Sequence, residues 1–134
     1  MRVPLAFHAV VLSLCVAPVL SAQDAVKVDS KHYTVISENS KVRILKVHYD
    51  AHEKSVMHSH PDSVIVFLTD ASLQFTSPDG KKQNVTAKAG DAQFTPRTVH
   101  LPENTGDSAM DGILVELKSH SPMAAKSDTK SEMK

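Results

Sequence analysis

Hydrophobic and polar residues alternate along much of this chain from Tyr33 onward. A period of two places successive side chains on opposite faces of an extended backbone, which is typical of half-buried β-strands. The alternating or β-branched stretches predict six strands, at Tyr33–Ser37, Lys41–Tyr49, Ser63–Thr69, Lys81–Ala87, Ala92–Phe94 and Ala109–Lys118. A seventh strand containing Leu73 and Phe75 runs into the turn sequence Ser77–Gly80 and predicts a hairpin with the strand that follows.

The fold class predicted from this pattern is all-β. No stretch of useful length has the periodicity of an amphipathic helix. Many short strands joined by turns indicate an antiparallel sandwich or barrel, and closing the sheet into a barrel would remove exposed strand edges. Four large hydrophobic residues are expected in the core or along a pocket wall, namely Phe67, Leu68, Phe75 and Phe94.

The first 22 residues have the pattern of a secretory signal peptide. Arg2 precedes an apolar run over residues 3–20, and the run ends in the small residues Ser21 and Ala22. A membrane anchor is the alternative, but polar residues and prolines interrupt the run and leave it short of the roughly 20 apolar residues of a spanning helix. We therefore expect a periplasmic or secreted protein that contacts a membrane only through this segment, if the segment is not cleaved.

Composition divides the remaining chain into three parts. Residues 23–32 are a polar lead-in that we expect to be loosely held, although a strand there could pair with a partner subunit. Residues 33–118 carry the predicted strands. Residues 119–134 lack β-branched aliphatic side chains and are expected to form a solvated, disordered tail.

Charge and cysteine content exclude several classes of function. The 15 Lys and Arg residues balance the 15 Asp and Glu residues, so the formal net charge is zero and nucleic acid is not an expected partner. The sole cysteine, Cys15, can form neither an intramolecular disulfide nor a zinc site built on several thiolates. An aromatic content of 4% gives little support to the stacking of sugars or bases.

Histidines supply the candidate chemistry. His58 and His60 are two residues apart, so in an extended segment both imidazoles point to the same face and can share one metal ion. The alternative is a solvated loop that happens to contain two histidines. A third histidine, His100, lies downstream in the segment Gly90–Asn104.

Other polar or sulfur-containing residues have simpler explanations. Met57 is expected to pack rather than bind copper, and Arg97 is expected to be solvated rather than to bind a carboxylate. Ser63 has no visible acid–base partners for nucleophilic chemistry. Solvent-facing positions are favoured for His48 and His52. No role is assigned to His32 or His120.

The two histidine segments resemble the motifs of the cupin superfamily, G-x5-H-x-H-x3,4-E-x6-G and G-x5-P-x-G-x2-H-x3-N. His58 and His60 match the first motif. The second motif is matched at four positions, Gly90, Pro96, His100 and Asn104. The resemblance spans approximately residues 42–118.

Several positions depart from these motifs. His52 stands where the first motif begins with glycine, and Thr98 replaces the middle glycine of the second motif. The interval between the proline and the histidine of the second motif is one residue shorter. The two positions permitted for the glutamate ligand hold Val64 and Ile65, so the usual carboxylate is missing.

The resemblance implies a double-stranded β-helix barrel of the jelly-roll type, with His58, His60 and His100 converging on a divalent transition metal. Fe, Mn, Ni, Cu and Zn are the candidate ions. Without a glutamate such a site is more positive and should favour anionic or bidentate small ligands. Either Asp62 or Glu103 could replace the missing ligand, although a water-linked or surface role is favoured for both.

Three functional interpretations remain open. The chain resembles three-histidine cupins, which include dioxygenases acting on thiols and diketones, so a metal-dependent dioxygenase-like or lyase enzyme is the first. No general base or other catalytic residue is identifiable from the sequence. A non-catalytic module that binds a metal or a small ligand is the second, and a degenerate metal-free cupin is the third. Because cupin barrels often dimerise, a homodimer is also expected.

Overall fold

The computed structural model describes residues 23–119, and within that span the chain forms one short helix and nine strands. The helix, α1, is Ala25–Val28. The strands are β1 Tyr33–Glu38, β2 Val42–Tyr49, β3 His58–His60, β4 Ser63–Phe67, β5 Ala71–Thr76, β6 Lys82–Ala87, β7 Ala92–Thr95, β8 Thr98–Asn104 and β9 Met110–Leu117. No helix within these residues is both long enough and apolar enough to cross a membrane.

The nine strands form two antiparallel sheets, which confirms the predicted all-β fold class. One sheet has the order β1-β2-β9-β4-β7 and the other the order β3-β8-β5-β6. All seven predicted strands are present, and the pattern missed β3 and β8. Hydrogen bonds between the described strands do not close the sheets into one barrel, since β1 and β7 bound the first sheet and β3 and β6 bound the second.

The predicted hairpin is β5–β6. Its strands pair from Ala71 opposite Ala87 to Thr76 opposite Lys82. The turn places Gly80 at a φ of 84°, in the left-handed region that glycine adopts without a steric penalty. The backbone N–H of Ser77 donates to the carbonyl of Lys81 at 2.8 Å and closes the turn.

Side chains from both sheets pack into one core. The buried hydrophobic residues are Ala25, Tyr33, Leu45, Val47, Tyr49, Phe67, Ala71, Leu73, Met110 and Leu114. Phe67 is buried and Phe75 is half-buried beside the core, as expected. The expectation for Leu68 and Phe94 was wrong, because their side chains are 53% and 56% exposed. Phe94 alternates with Gln93 on β7, and it is Gln93 that faces inward.

The lead-in is held more firmly than its composition predicted. The Asp24 carboxylate accepts from the backbone N–H of Val26 at 3.0 Å and caps α1, and Ala25 is fully buried. The backbone carbonyl of Gln23 accepts from the N–H of Ser59 at 2.8 Å. The lead-in therefore lies along the free edge of β3. The predicted signal peptide and nearly all of the predicted tail, residues 1–22 and 120–134, lie outside the described residues.

Candidate metal centre

Strand pairing brings the three motif histidines together. In the antiparallel pair β3–β8, His58 lies opposite His100, and His60 follows two residues later on the same face. One ligand nitrogen from each imidazole lies within 4.8 Å of the other two. The ring centroids of His58 and His60 are 4.8 Å apart, and those of His58 and His100 are 5.1 Å apart.

Two of the three imidazoles are buried, and that of His100 is half-buried. His58 is 0% exposed and His60 is 4% exposed. Burial, together with the neighbouring imidazole of His60, lowers the pKa of His58 to about 4 and that of His100 to about 3. At neutral pH both therefore present a free nitrogen lone pair, the form in which histidine binds metals.

Hydrogen bonds fix which nitrogen of two imidazoles faces the cluster. Nδ1 of His58 donates to the backbone carbonyl of Val56 at 2.8 Å, and Nδ1 of His60 donates to Oε1 of Glu116 at 2.7 Å. The proton is therefore on Nδ1, and Nε2 carries the lone pair. Within the described part of the chain, Nε2 of His58 and Nε2 of His100 are buried without a hydrogen-bond partner.

Glu116 is the buried carboxylate that contacts His60, and the sequence analysis did not identify it. Its side chain is 2% exposed on the inner face of β9, and its Oε2 accepts from Nε of Arg43 at 2.6 Å. Although burial by itself would raise the pKa of Glu116, the hydrogen bonds from His60 and Arg43 lower it, so the carboxylate is ionised. A terminal nitrogen of Arg43 also donates to the Asp24 carboxylate at 2.5 Å. The signal that was overlooked is a lone acidic residue on the strand face otherwise occupied by Gly112 and Leu114.

Neither Asp62 nor Glu103, the two alternatives for the missing ligand, reaches the cluster, and a water-linked or surface role was favoured for both. Asp62 is exposed, and its carboxylate accepts from the backbone N–H of Arg97 at 2.7 Å. Glu103 lies 3.7 Å from Nζ of Lys54, and it is not part of the histidine cluster. Glu116 places a negative charge beside the cluster through its hydrogen bond with Nδ1 of His60, and it does not belong to the ligand set.

Tyr33 packs against the cluster and is hydrogen-bonded to a second tyrosine, Tyr49. The ring of Tyr33 lies 4.9 Å from that of His58, and its hydroxyl accepts from the hydroxyl of Tyr49 at 2.9 Å. Burial raises the pKa of Tyr33 well above its ordinary value, so the hydroxyl stays protonated. The Tyr33 hydroxyl thus has a proton to donate within the cavity.

A second polar network supports His58 from behind. Oγ of Ser55 lies 3.2 Å from Nδ1 of His58 and donates to the carboxylate of Asp29. Nδ1 of His32 lies 2.7 Å from the same carboxylate, and its Nε2 lies 3.0 Å from Glu53. His32, to which the sequence assigned no role, is buried and stacks on Tyr49 at 4.1 Å.

The remaining candidates lie outside the cluster. The expected solvent-facing positions of His48 and His52 are confirmed, since their side chains are 41% and 63% exposed and lie beside Asp111 and Asp107. Arg97 is exposed and Met57 is 36% exposed, so neither points into the site. His120 lies outside the described residues.

A cavity of about 250 Å³ opens beside the histidines, between the two sheets. His60 and His100 form part of its wall, and Phe75 stacks on the His100 ring at 4.9 Å. Buried apolar side chains form its inner part, among them Val47, Phe67, Leu73, Met110 and Leu114. Uncharged polar residues form its outer part, among them Ser77, Gln83, Gln93, Thr95 and Thr98.

The donor set fits a divalent transition metal. Imidazole nitrogen suits Zn, Cu, Fe and Ni, and metal-bound histidines usually donate their other N–H to a carboxylate or backbone carbonyl. His60 has a carboxylate partner and His58 a carbonyl partner at distances of 2.7 and 2.8 Å. The two orphaned Nε2 atoms fit the same assignment, because buried polar atoms are normally paired.

Comparison with known proteins identifies the fold. No protein-family model matches the sequence, and no curated protein sequence is detectably similar. A cupin-domain structure from Bordetella pertussis aligns with a TM-score of 0.61 and 22% sequence identity, over 65% of this chain and 92% of that one. A double-stranded β-helix protein from Klebsiella pneumoniae aligns with a TM-score of 0.52 and 19% identity, over 63% and 74% of the two chains.

A third structure is similar at lower sequence identity. It is an RmlC-like cupin from Methanocaldococcus jannaschii, with a TM-score of 0.51 and 15% identity over 63% of this chain and 77% of that one. At identities this low, the similarity concerns the arrangement of the strands.

Proposed function

We propose that this chain, which has the double-stranded β-helix fold of the cupin superfamily, binds one divalent transition metal through Nε2 of His58, His60 and His100. The observation that carries the proposal is the pair of buried, unpartnered Nε2 atoms beside His60, whose own Nδ1 is engaged by Glu116. A solvated His-x-His loop would have neither the burial nor the hydrogen bonds that fix the tautomers.

Fe, Mn, Ni, Cu and Zn are the ions that we propose for this site. Such an ion, when bound, supplies Lewis-acid chemistry, or O₂ chemistry in the case of iron. The chain supplies the rest of the environment: Phe75 covers one face of the His100 ring, apolar side chains line the cavity beside the histidines, and the Tyr33 hydroxyl can donate a hydrogen bond to a ligand in the cavity.

A small molecule bound in the cavity beside the metal is part of the proposal. Metal-dependent catalysis of the dioxygenase-like or lyase type is our first candidate. A non-catalytic module that captures a metal or ligand is the second, and one feature favours it. Among the described residues that line the cavity, the ionisable side chains are histidines and tyrosines, so no carboxylate or lysine is placed to act as a general base. We also propose export to the periplasm or the extracellular space, and a homodimer, as the sequence led us to expect.

The test of metal binding is elemental analysis of the protein purified from the exported fraction without chelators or an added histidine tag. We expect about one equivalent of metal, and we expect it to be lost in the double variant His58→Ala/His60→Ala. The matched control is His48→Ala/His52→Ala, which removes the same number of imidazoles from the surface.

Two outcomes would contradict the proposal. If neither the purified protein nor the protein reconstituted with each of the five ions contains metal, the histidine cluster is not a metal site. If the control variant loses metal as completely as the His58/His60 variant, binding occurs at surface histidines instead.

A further inference from the structure

The cavity beside the histidines has an uncharged wall. Its lining contains no aspartate, glutamate, lysine or arginine among the described residues. The inner part is formed by buried aliphatic and aromatic side chains, such as Leu73 and Phe67, which are 5% and 3% exposed. An ionic group on the body of a ligand would therefore be desolvated there without a partner, at a cost of several kcal/mol.

The charge that a head group would meet is that of the metal ion. His60 and His100 form part of the cavity wall, so a divalent ion held by the three histidines would bring two positive charges to that part of the wall. An anionic head group there would have an ionic partner, which the rest of the described lining does not offer.

We infer that the cavity binds a small monoanion whose anionic head group lies at the three histidines and whose apolar, uncharged body fills the space between the sheets. This inference rests on the proposed function, because the head group completes the metal site. The cavity volume of about 250 Å³ equals roughly eight water molecules at about 30 Å³ each. It is therefore suited to a short aliphatic or single-ring acid, and the hydroxyl and amide groups of Ser77, Gln83 and Gln93 line its outer end.

Three six-carbon acids test the inference on the unaltered protein. Hexanoate, 6-aminohexanoate and adipate have the same chain and the same head group, and they differ in whether the far end is a methyl, an ammonium or a carboxylate. The protein is loaded with Co²⁺, and each acid is titrated while the visible absorption of the cobalt is recorded. We expect a spectral change with hexanoate, and a Kd at least tenfold lower than for the other two, because only its far end is uncharged.

A charge placed in the wall should invert this preference. Val85 on β6 lines the cavity, and its neighbour Thr86 is exposed and does not line it. Val85→Lys is therefore expected to weaken hexanoate and strengthen adipate, whereas Thr86→Lys adds the same charge outside the cavity and should leave the order unchanged. If Val85→Lys does not fold, the comparison of the three acids on the unaltered protein decides the question by itself.

The outcomes separate this inference from the proposed function. Failure to take up Co²⁺ overturns both. Uptake of Co²⁺ followed by equal affinity for the three acids, or by tighter binding of adipate to the unaltered protein, overturns the ligand class alone. The same is true if hexanoate binds without any change in the cobalt spectrum, since the head group would then lie away from the histidines.

Discussion

Replacing Glu116 with glutamine should weaken metal binding while leaving all three histidines in place. The substitution keeps the size of the side chain and leaves an oxygen that can accept from Nδ1 of His60, but it removes the negative charge that lies 2.7 Å from that nitrogen. A carboxylate behind a metal-bound imidazole increases the basicity of the imidazole and fixes its orientation, and loss of such a partner typically lowers metal affinity 10- to 100-fold. We therefore expect Glu116→Gln to lose about 1.4 to 2.8 kcal/mol of Zn²⁺ binding free energy.

The same substitution should also destabilise the metal-free protein. Arg43, whose side chain is 17% exposed, would lose its ionic partner on β9 and keep Asp24. Removing one partner of a buried ion pair costs about 3 to 5 kcal/mol, and the remaining carboxylate should hold the loss to the lower end of that range. Affinity is measured by competition with a chromogenic chelator, and the free energy of unfolding by urea denaturation of chelator-treated protein.

Glu103→Gln is the matched control for this experiment. It also removes one carboxylate, from the strand that carries His100, but Glu103 faces Lys54 at 3.7 Å rather than the histidines. We expect its Zn²⁺ affinity to equal that of the unaltered protein. Unchanged affinity in Glu116→Gln, or an equal loss in both variants, would refute the role assigned to Glu116.

Three further predictions concern stability. Because the folded-state pKa values of His58 and His100, about 4 and about 3, lie below their ordinary value of 6.5, the unfolded chain takes up protons first. The metal-free protein should therefore keep its full stability above about pH 6.5. On acidification it should lose up to about 1.4 kcal/mol of unfolding free energy per pH unit for each histidine. Urea unfolding at pH 5 and pH 7.5 measures this loss, and equal stability at the two pH values would contradict it. Leu45→Ala should cost about 2 to 5 kcal/mol of stability because Leu45 is fully buried. Phe94→Ala, at a 56% exposed position, should cost under about 1 kcal/mol. Thermal unfolding compares the two variants, and equal losses would show that the burial pattern is wrong. Asp24→Ala removes both the cap of α1 and an ion pair with Arg43, so we expect a loss of about 1 to 2 kcal/mol of stability. An unchanged midpoint of thermal unfolding would mean that the lead-in does not contribute to stability.

Local sequence patterns predicted most of the strands because these strands show hydrophobic alternation within themselves and are bounded by turn residues. The Ser77–Gly80 turn and the alternation of Leu73 and Phe75 are examples, and both are found in the β5–β6 hairpin. The two strands that carry the candidate ligands were missed. β3 has only three residues, and β8 contains Pro102 and two polar residues at its end, so neither has a clear hydrophobic period.

The part of the site that the sequence could not supply depends on contacts between distant segments. Glu116 and His60 are 56 residues apart, and Glu116 and Arg43 are 73 apart. The register β2–β9–β4 places Glu116 between Arg43 and Ser63, and no local pattern encodes that register. Spacing offered Asp62 and Glu103 only as alternatives for the missing ligand, because they are the carboxylates nearest to the histidines in the sequence, and a water-linked or surface role was favoured for both. Phe94 was misassigned for a related reason, since hydrophobicity does not show which face of β7 is covered.

The position of β9 determines when the five-stranded sheet can be completed during synthesis. β9 is the last of the described strands, yet it lies in the middle of the five-stranded sheet and pairs with β2 on one side and β4 on the other. Until residues 110–117 have emerged, β2 and β4 have no common partner, and the sheet remains two separate fragments. Contacts between such distant segments delay folding. A nascent chain therefore stays without its central ladder, and without the carboxylate of Glu116 behind His60, until almost the whole described sequence has been made.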